Sequence, residues 1–522
     1  MKRTAIAVAL LCVAGLSADG NSWWKHVEFL ASDALQGRST GSPGHKRAAD
    51  YVADQFKKAG LEPAGTSGYI QTVAFKTRQI DESRSSLSLI RDATATPLTL
   101  GQDATFSLRV DPAASVDAPL VFVGHGLRIP EQHIDDLEGL DLNGAVVVYI
   151  NTTPRTLPAP LQAHFGSAAE RWQMYRAAGA VGTIDIANPR NVDVPWARSA
   201  PQRLQPAMSL ADPSLDEYPG QRVAIRMNPA HADLLFQGSG HTFDELLALD
   251  EGEKPVPRFA LPARVAARIA VTRTEVESQN VAGILRGTDP GRRNEFVVLS
   301  AHLDHLGVGE PIRGDAIYNG AMDNASGVAA MIEVAARLHA SGERPSRSLL
   351  FVAVTGEEKG ELGSRYLAAH PPVPNAVLVA NVNTDMFLPL FPLRELMVLG
   401  VDESDLGADI RAVAAGMHLQ VQADPEPQRN RFIRSDQYSF IRAGVPALAL
   451  KVGYEANTSE AAIERRWIAE RYHAPSDDLN QPVDRTAADA FIDVVRRLAI
   501  RVANRPDRPR WNDSSFFRRF AQ

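Results

Sequence analysis

Histidines and carboxylates follow apolar runs in the second half of the chain, where they could bind a metal. His302 and Asp304 come directly after the apolar run 296–300, and they lie on one face because side chains alternate along an extended segment. A histidine with a carboxylate two residues further on suits a metal ligand whose ring is held by an acceptor. Asp323 lies in the Gly- and Asn-rich turn of YNGAMDNASG, where it could bind a metal or cap the helix predicted to begin near Ser326.

Two glutamates, a further aspartate and a second histidine repeat this arrangement. Glu357 and Glu358 end the apolar run 349–354, and adjacent side chains there point in different directions. One glutamate could therefore bind a metal while the other faces a reacting water. Asp385 ends the next predicted strand, and His473 lies in the later turn YHAPSDD.

Taken together, these residues form the mixed nitrogen and oxygen ligand group that is typical of paired zinc-type ions. Two ions about 3.5 to 4 Å apart that share a carboxylate can polarise a carbonyl and acidify a water. Two other kinds of site are not indicated: no Gly-rich phosphate loop follows a strand, and the single cysteine lies at position 12, within the first 18 residues. The set predicts a hydrolytic centre.

The elements that must position these residues alternate between apolar strands and helices after a Pro-containing connection near EKPVPRFALP. This alternation predicts an α/β fold with a largely parallel sheet, whose strand ends gather ligands. Upstream, Ala48, Val52, Phe56 and Ala59 recur at helical spacing and predict an amphipathic helix. Between them, residues 119–258 have short β-rich runs with many Gly and Pro and predict a small separate module.

Composition places the chain among ordinary globular proteins of two or three domains. The 522 residues are 44% hydrophobic and 22% charged, which excludes collagen-like and disordered classes. Fifty-five basic against 62 acidic residues give a formal charge of −7, so no basic excess predicts binding to nucleic acid or anionic lipid.

The first 18 residues have the layout of a cleaved secretory signal. Two basic residues precede an apolar run from Ala5 to Leu16, and small residues follow it. The run is too short to span a bilayer, and Cys12 follows a leucine where lipid attachment favours a small residue. We therefore expect a secreted or periplasmic protein with no membrane anchor in the mature chain.

The ordered motifs SAHLDH, GAMDNASG, TGEEKGELGS, NTDM and YHAPSDD resemble those of the M28 family of co-catalytic zinc metallopeptidases. That family includes bacterial aminopeptidases and the glutamate carboxypeptidase group. The segment LASDALQGRSTGSPG also resembles the family, and the β-rich region is similar to a protease-associated domain. The resemblance implies a mostly parallel mixed sheet sandwiched by helices, of the zinc-peptidase type, with a small β-rich insert. The predicted division is 1–18 signal, 19–115 and 261–522 catalytic domain, and 116–260 insert.

The resemblance also implies a role for each site residue. It implies two zinc ions per chain and five metal ligands, which are His302, Asp323, Glu358, Asp385 and His473. Asp323 would be shared, with His302 and Asp385 completing one site and Glu358 and His473 the other. Glu357 would be the general base, and Asp304 would orient His302.

A peptide is the implied substrate, and most similar exported members are aminopeptidases. Three alternatives stay open: a carboxypeptidase of the glutamate carboxypeptidase type, a single-zinc enzyme similar to glutaminyl cyclases, and a non-catalytic receptor-like protein. Arg429, Arg431 and Arg434 could bind a terminal carboxylate in a carboxypeptidase. Tyr454 could donate a hydrogen bond to an oxyanion or contact substrate, although its loose match to the family favours a packed tyrosine.

Overall fold

The computed structural model describes residues 21–521, and the predicted signal segment 1–18 lies outside the described residues. Thirteen α-helices in the described part are α1 (Asn21–Leu30), α2 (Pro43–Lys58), α3 (Ala159–Phe165), α4 (Ala168–Ala177), α5 (Trp196–Ser199), α6 (Asp233–Phe236), α7 (Phe243–Glu251), α8 (Ser326–Ser341), α9 (Leu362–Ala369), α10 (Leu406–Ala415), α11 (Gln437–Arg442), α12 (Ser459–Glu470) and α13 (Arg485–Ala503). Within the described range, none of these helices is long and apolar enough to cross a membrane.

The strands begin with β1 (Glu62–Pro63), β2 (Ile70–Ile80), β3 (Ser86–Arg91), β4 (Thr94–Leu98), β5 (Ala104–Phe106), β6 (Ser115–Phe122), β7 (Arg128–Ile129), β8 (Ile134–Asp135), β9 (Val146–Ile150), β10 (Gly182–Ile186) and β11 (Ala207–Leu210). They continue with β12 (Val223–Met227), β13 (Phe259–Arg268), β14 (Val271–Leu285), β15 (Glu295–His302), β16 (Gly307–Ile312), β17 (Asp315–Tyr318), β18 (Ser348–Val354), β19 (Val377–Asn383), β20 (Glu395–Leu399), β21 (Gln420–Gln422) and β22 (Ala447–Val452).

The large sheet has ten strands in the order β11-β2-β14-β18-β15-β19-β22-β20-β21, with β1 beside β14. Its central strands β18, β15, β19 and β22 run parallel to one another. Every residue of β18 is buried, and in β15 only Glu295 is not. Such continuous apolar runs are typical of strands covered on both faces.

Helices cover both faces of the large sheet. On one face, α1, α2, α8, α10 and α13 form a core with alternate strand residues such as Val297 and Phe351. On the other face, Val298 packs in a core with Leu367 of α9 and Phe440 of α11. The predicted α/β class, with a mixed sheet between helices, is confirmed.

The second sheet has eight strands in the order β4-β3-β13-β6-β9-β10-β12-β5. Its central strands β6, β9, β10 and β12 are parallel, and it encloses a core of its own around residues such as Val148 and Ile225. The strands come from residues 86–268, and β11, from within that range, pairs with β2 of the large sheet. The insert boundaries at 116 and 260 stay predictions.

Candidate metal centre

Three neighbouring parallel strands of the large sheet deliver most of the predicted site residues. His302 is the last residue of β15, Glu357 and Glu358 lie in the turn after β18, and Asp385 follows β19. Because these strands are adjacent and parallel, their carboxyl ends meet at one edge of the sheet. The structure brings these residues together there.

Asp323 reaches the same edge from the turn that precedes α8. This helix starts after Ala325 without a side-chain cap, so the carboxylate of Asp323 does not have the capping role that its position also allowed. The turn is held by Asp477, whose carboxylate accepts hydrogen bonds from the backbone N–H of Met322 at 2.9 Å and of Asp323 at 3.0 Å. Asp477 therefore fixes the backbone of this turn, and the side chain of Asp323 is available to the metal centre.

One oxygen of Asp323 belongs to a first group of donor atoms. His302 Nε2 lies 3.2 Å from Asp323 Oδ1 and 3.3 Å from Asp385 Oδ1. The side chains of His302 and Asp323 are almost fully buried, and that of Asp385 is 14% exposed. This group is the one that the sequence predicted for the first ion.

The other oxygen of Asp323 belongs to a second group. His473 Nε2 lies 3.3 Å from Asp323 Oδ2 and 3.3 Å from Glu358 Oε2. His305 Nδ1 also faces this group, 2.7 Å from Glu358 Oε1 and 3.8 Å from Asp323 Oδ2. The carboxylate of Asp323 thus lies between two clusters and presents one oxygen to each.

The donor atoms fit two zinc-type ions. Nitrogen and oxygen atoms 3.2 to 3.3 Å apart are spaced as ligands of one ion are when metal–ligand bonds measure about 2.0 to 2.2 Å. Asp323 Oδ2 and Glu358 Oε1 are buried and have no hydrogen-bond partner. Buried polar atoms are rarely left in that condition, so a bound cation is the expected partner.

Glu357 points into the same space but belongs to neither group. Burial, reinforced by the neighbouring carboxylates of Glu358 and Asp385, raises the pKa of Glu357 well above its usual value, against the attraction of His302. A carboxylate with a raised pKa accepts a proton more readily, which is the property a general base requires.

Asp304 supports the centre in a way that differs in detail from the prediction. Its backbone carbonyl, not its carboxylate, lies 3.1 Å from His302 Nδ1. The carboxylate accepts hydrogen bonds from the backbone N–H of Glu357 at 3.1 Å and from the Thr40 hydroxyl at 2.8 Å. One residue therefore fixes both a predicted metal ligand and the predicted base.

The N-terminal segment LASDALQGRSTGSPG reaches the centre through Arg38. This fully buried guanidinium donates hydrogen bonds to the carbonyls of Leu303 at 3.0 Å, Asn319 at 2.6 Å and Gly320 at 3.1 Å. Burial lowers the pKa of Arg38 to about 10, and nearby carboxylates such as Asp477 oppose this shift. Arg38 thus ties the segment that follows His302 to the turn that precedes Asp323.

A cavity of about 890 Å³ opens onto the centre, and both sheets contribute to its walls. Glu357, Glu358 and His473 line it from one side, while Arg109 and Asn188 line it from the region of the second sheet. The space is large enough for several amino-acid residues.

Tyr454 does not line this cavity. Its hydroxyl donates a hydrogen bond to Glu426 Oε2 at 3.2 Å, and its ring is buried, as in a packed tyrosine. Three other tyrosines line it, Tyr218, Tyr438 and Tyr472, and the ring centroid of Tyr472 lies 4.0 Å from that of His473.

Sequence reasoning missed three residues that shape the centre: His305, Asp477 and Arg38. Each lies inside a motif already singled out, namely SAHLDH, YHAPSDD and LASDALQGRSTGSPG. The sequence signal for His305 was that SAHLDH contains a second histidine three residues after His302. Asp477 and Arg38 act on backbone atoms of distant loops, which the sequence gives no means to identify.

Comparison with known proteins agrees with this geometry. The profile of peptidase family M28 matches residues 280–499, a range that contains all five predicted ligands and Glu357. The aminopeptidase of Aneurinibacillus sp. strain AM-1 has a similar structure, with a TM-score of 0.54 and 19% identity over 94% of this chain and 95% of that chain. This likeness shows the fold.

Two curated relatives share part of the chain. Leupeptin-inactivating enzyme 1 of Streptomyces exfoliatus is 28% identical over 40% of this chain and 45% of its own length. Carboxypeptidase Q of Xenopus laevis is 34% identical over 23% of this chain and 24% of its own length. The chain therefore matches less than half the length of these two relatives.

The family match covers the strands, the turn and the helix that carry the clustered residues, and the fold is shared over nearly the whole chain. On this basis residues 280–499 match peptidase family M28, and over the rest of the chain the likeness is one of fold.

Proposed function

We propose that the chain is an exported peptidase with two zinc ions, and that it acts as an aminopeptidase. One observation carries the proposal: the two oxygens of Asp323 face separate donor groups, one containing His302 and Asp385 and the other Glu358 and His473. A carboxylate shared in this way is the arrangement that two neighbouring ions require.

Zinc ions held by these residues would polarise the scissile carbonyl and acidify the attacking water. Glu357 takes the proton from that water and gives it to the leaving amine. Its backbone N–H is held by the Asp304 carboxylate, and the residue lines the cavity. Burial opposes the shift, but the neighbouring imidazoles of His302 and His473 hold the pKa of Asp323 well below its usual value, so this carboxylate stays charged.

Aminopeptidase action is supported by the state of the three arginines that could have bound a terminal carboxylate, because all three are already paired with carboxylates of the protein. Arg429 and Arg434 are both paired with Asp193, at 2.7 and 2.8 Å, and Arg431 is paired with Asp424. Asp193 belongs to a loop between β10 and α5 that reaches over the cavity. Cations already bound to carboxylates inside the protein are poor candidates for holding the carboxylate of a substrate.

Carboxypeptidase action is the second candidate, and one cation supports it. Arg109 is exposed and lines the cavity, and its guanidinium lies beside the space that a side chain at Gly360 would fill, in the turn that carries Glu357. One matched relative is also named a carboxypeptidase. A single-zinc cyclase-like enzyme and a non-catalytic receptor are less compatible with two complete donor groups and a positioned base.

The mechanism is tested with Glu357→Gln. This variant keeps the size and hydrogen-bonding ability of the side chain but cannot accept the proton, so we expect kcat to fall by roughly 10²–10⁴-fold with two zinc ions still bound. Glu28→Gln on the exposed surface of α1 is the matched control and should keep full activity. Normal turnover by Glu357→Gln would exclude Glu357 as the base.

The direction of trimming is tested with one peptide in three forms: free, acetylated at the N-terminus and amidated at the C-terminus. An aminopeptidase trims the free and the amidated peptide from the N-terminus and leaves the acetylated one intact. Cleavage of the acetylated but not the amidated form would establish carboxypeptidase action instead.

We also infer that residues 1–18 direct export and that the second sheet forms a protease-associated insert. The basic start followed by an apolar run supports the first inference, and the separate core of the second sheet supports the second. N-terminal sequencing of protein recovered outside the cytoplasm should begin after residue 18, and an uncut N-terminus would contradict export.

A further inference from the structure

His305 is fully buried at the second donor group, and the predicted set of five ligands leaves it without a role. Its side chain has no exposed surface, and neither ring nitrogen has a hydrogen-bond partner. Other buried histidines of this chain are held differently: His164 lies 2.9 Å from the Tyr438 hydroxyl, and His45 lies 3.2 Å from that of Ser278. A buried imidazole with two unpartnered nitrogens is costly unless something else binds it.

The contact between His305 and Glu358 does not supply that partner. Nδ1 and Oε1 are 2.7 Å apart, but neither atom has a hydrogen bond of acceptable geometry. Two donor atoms that lie side by side in this way are placed as neighbouring ligands of one ion are. The ring of His473 lies on the same side, with its centroid 5.9 Å from that of His305.

We propose that His305 is a further ligand of the ion held by Glu358 and His473, an inference that rests on the proposed two-metal centre. Its Nδ1 lies 2.7 Å and 3.8 Å from the carboxylate oxygens of Glu358 and Asp323, a range that a shared ion accommodates. The second ion then has two imidazoles and two carboxylates, and the first has one imidazole and two carboxylates.

The position of the ring is fixed from behind by a glycine. A side-chain carbon at Gly320 would lie 2.5 Å from the His305 ring, and Gly320 has a φ of 61°, a conformation that favours glycine. The backbone N–H of His305 donates to the Arg38 carbonyl at 3.3 Å. The imidazole is therefore held in place before any ion arrives, which lowers the cost of binding.

Two imidazoles make the second site the stronger one for zinc, because borderline metals favour nitrogen ligands. The two sites should therefore fill in order, the second group before the first. In His305→Gln this order should be lost, and zinc affinity at the second site should fall by about 100-fold or more. Even a residue that only orients a ligand contributes roughly 10 to 100-fold to metal affinity.

The direct test replaces His305 by cysteine and reads the metal spectrum instead of the activity. The only natural cysteine is Cys12, which the predicted processing removes, so a thiolate-to-cobalt charge-transfer band in His305→Cys loaded with Co²⁺ must come from position 305. His45→Cys is the matched control, because that histidine is buried but belongs to neither donor group, and it should give no band.

Equilibrium dialysis of the wild type and His305→Gln against Zn²⁺ completes the experiment. Fewer than two ions in the wild type would overturn the two-metal proposal itself. Two ions in the wild type, unchanged affinities in His305→Gln and no band in His305→Cys would overturn the role of His305 alone. If the cysteine variant does not fold, as judged by circular dichroism, the dialysis of His305→Gln decides.

Discussion

Both sheets collect polar side chains at the ends of their parallel strands, and members of both sets line the same cavity. The two sets differ in whether their polar atoms have hydrogen-bond partners. At the second sheet, His125 lies 3.1 Å from the Thr152 hydroxyl, which donates to Asp250 at 3.3 Å, and Asn188 donates to the same carboxylate at 3.4 Å. At the large sheet, His305 and buried oxygens of Asp323 and Glu358 have no hydrogen-bond partner.

This difference shows that residue type alone does not make a site. Histidine and aspartate occur in both sets, but the set at the second sheet satisfies itself and needs no ligand. Protonation follows the same division. Burial lowers the pKa of His125 to about 4, whereas the carboxylates of Asp385 and Glu357 overcome burial and raise the pKa of His302 well above its usual value.

The largest effect is expected at the shared carboxylate of the large sheet. Asp323→Asn keeps the shape of the side chain but removes the charge that faces both donor groups. We expect activity to fall by more than the roughly 10²–10⁴-fold attributed to a general base, because zinc binding is lost as well. Zinc content by atomic spectroscopy and peptide hydrolysis measure both effects. Two tightly bound ions in this variant would contradict the shared role.

The same change at the second sheet should give the opposite result. Asp250→Asn weakens a self-satisfied hydrogen-bond cluster, so the free energy of unfolding should fall by about 1 to 3 kcal/mol. Zinc content and kcat should stay close to those of the wild type. Urea unfolding and zinc analysis of the purified variant check this, and a loss of zinc in Asp250→Asn would show that the two sets are coupled.

The smallest effect is expected in the pH dependence of stability. Burial lowers the pKa of His125 from its ordinary value of 6.5 to about 4 in the folded chain, so its neutral form stabilises the fold fully above pH 6.5, and this contribution is lost as pH falls towards 4. Between pH 7 and pH 5 only part of this shift is sampled, and the contribution is about 1 to 2 kcal/mol. In His125→Gln the unfolding free energy should change less between pH 7 and pH 5, and an unchanged pH slope would contradict it.

The strands and their ends could be predicted because apolar runs and polar termini are local patterns. Residues 296–300 and 349–354 fall inside β15 and β18, and helix α8 begins at Ser326, where a helix start was predicted. Asp323 and His473 lie in turns, and their grouping with His302 was implied by the resemblance to family M28, not by hydrophobic patterning.

Orientation could not be predicted. Whether the hydroxyl of Tyr454 enters the cavity or meets Glu426 depends on packing between segments far apart in the chain. The same holds for Asp304, whose carbonyl contacts His302 while its carboxylate holds the backbone of Glu357. The extent of the second sheet was also hidden, because β3 and β13 lie outside the β-rich stretch and pair with it only after folding.

Arg38 and Asp477 hold one short turn from opposite ends of the chain. The first binds the carbonyls of Asn319 and Gly320, and the second binds the N–H groups of Met322 and Asp323. During synthesis, Arg38 is made early, and Asp477 can contact the same turn only after most of the polypeptide has been made. A growing or prematurely terminated chain without Asp477 therefore lacks one of the two contacts that fix the turn of Asp323.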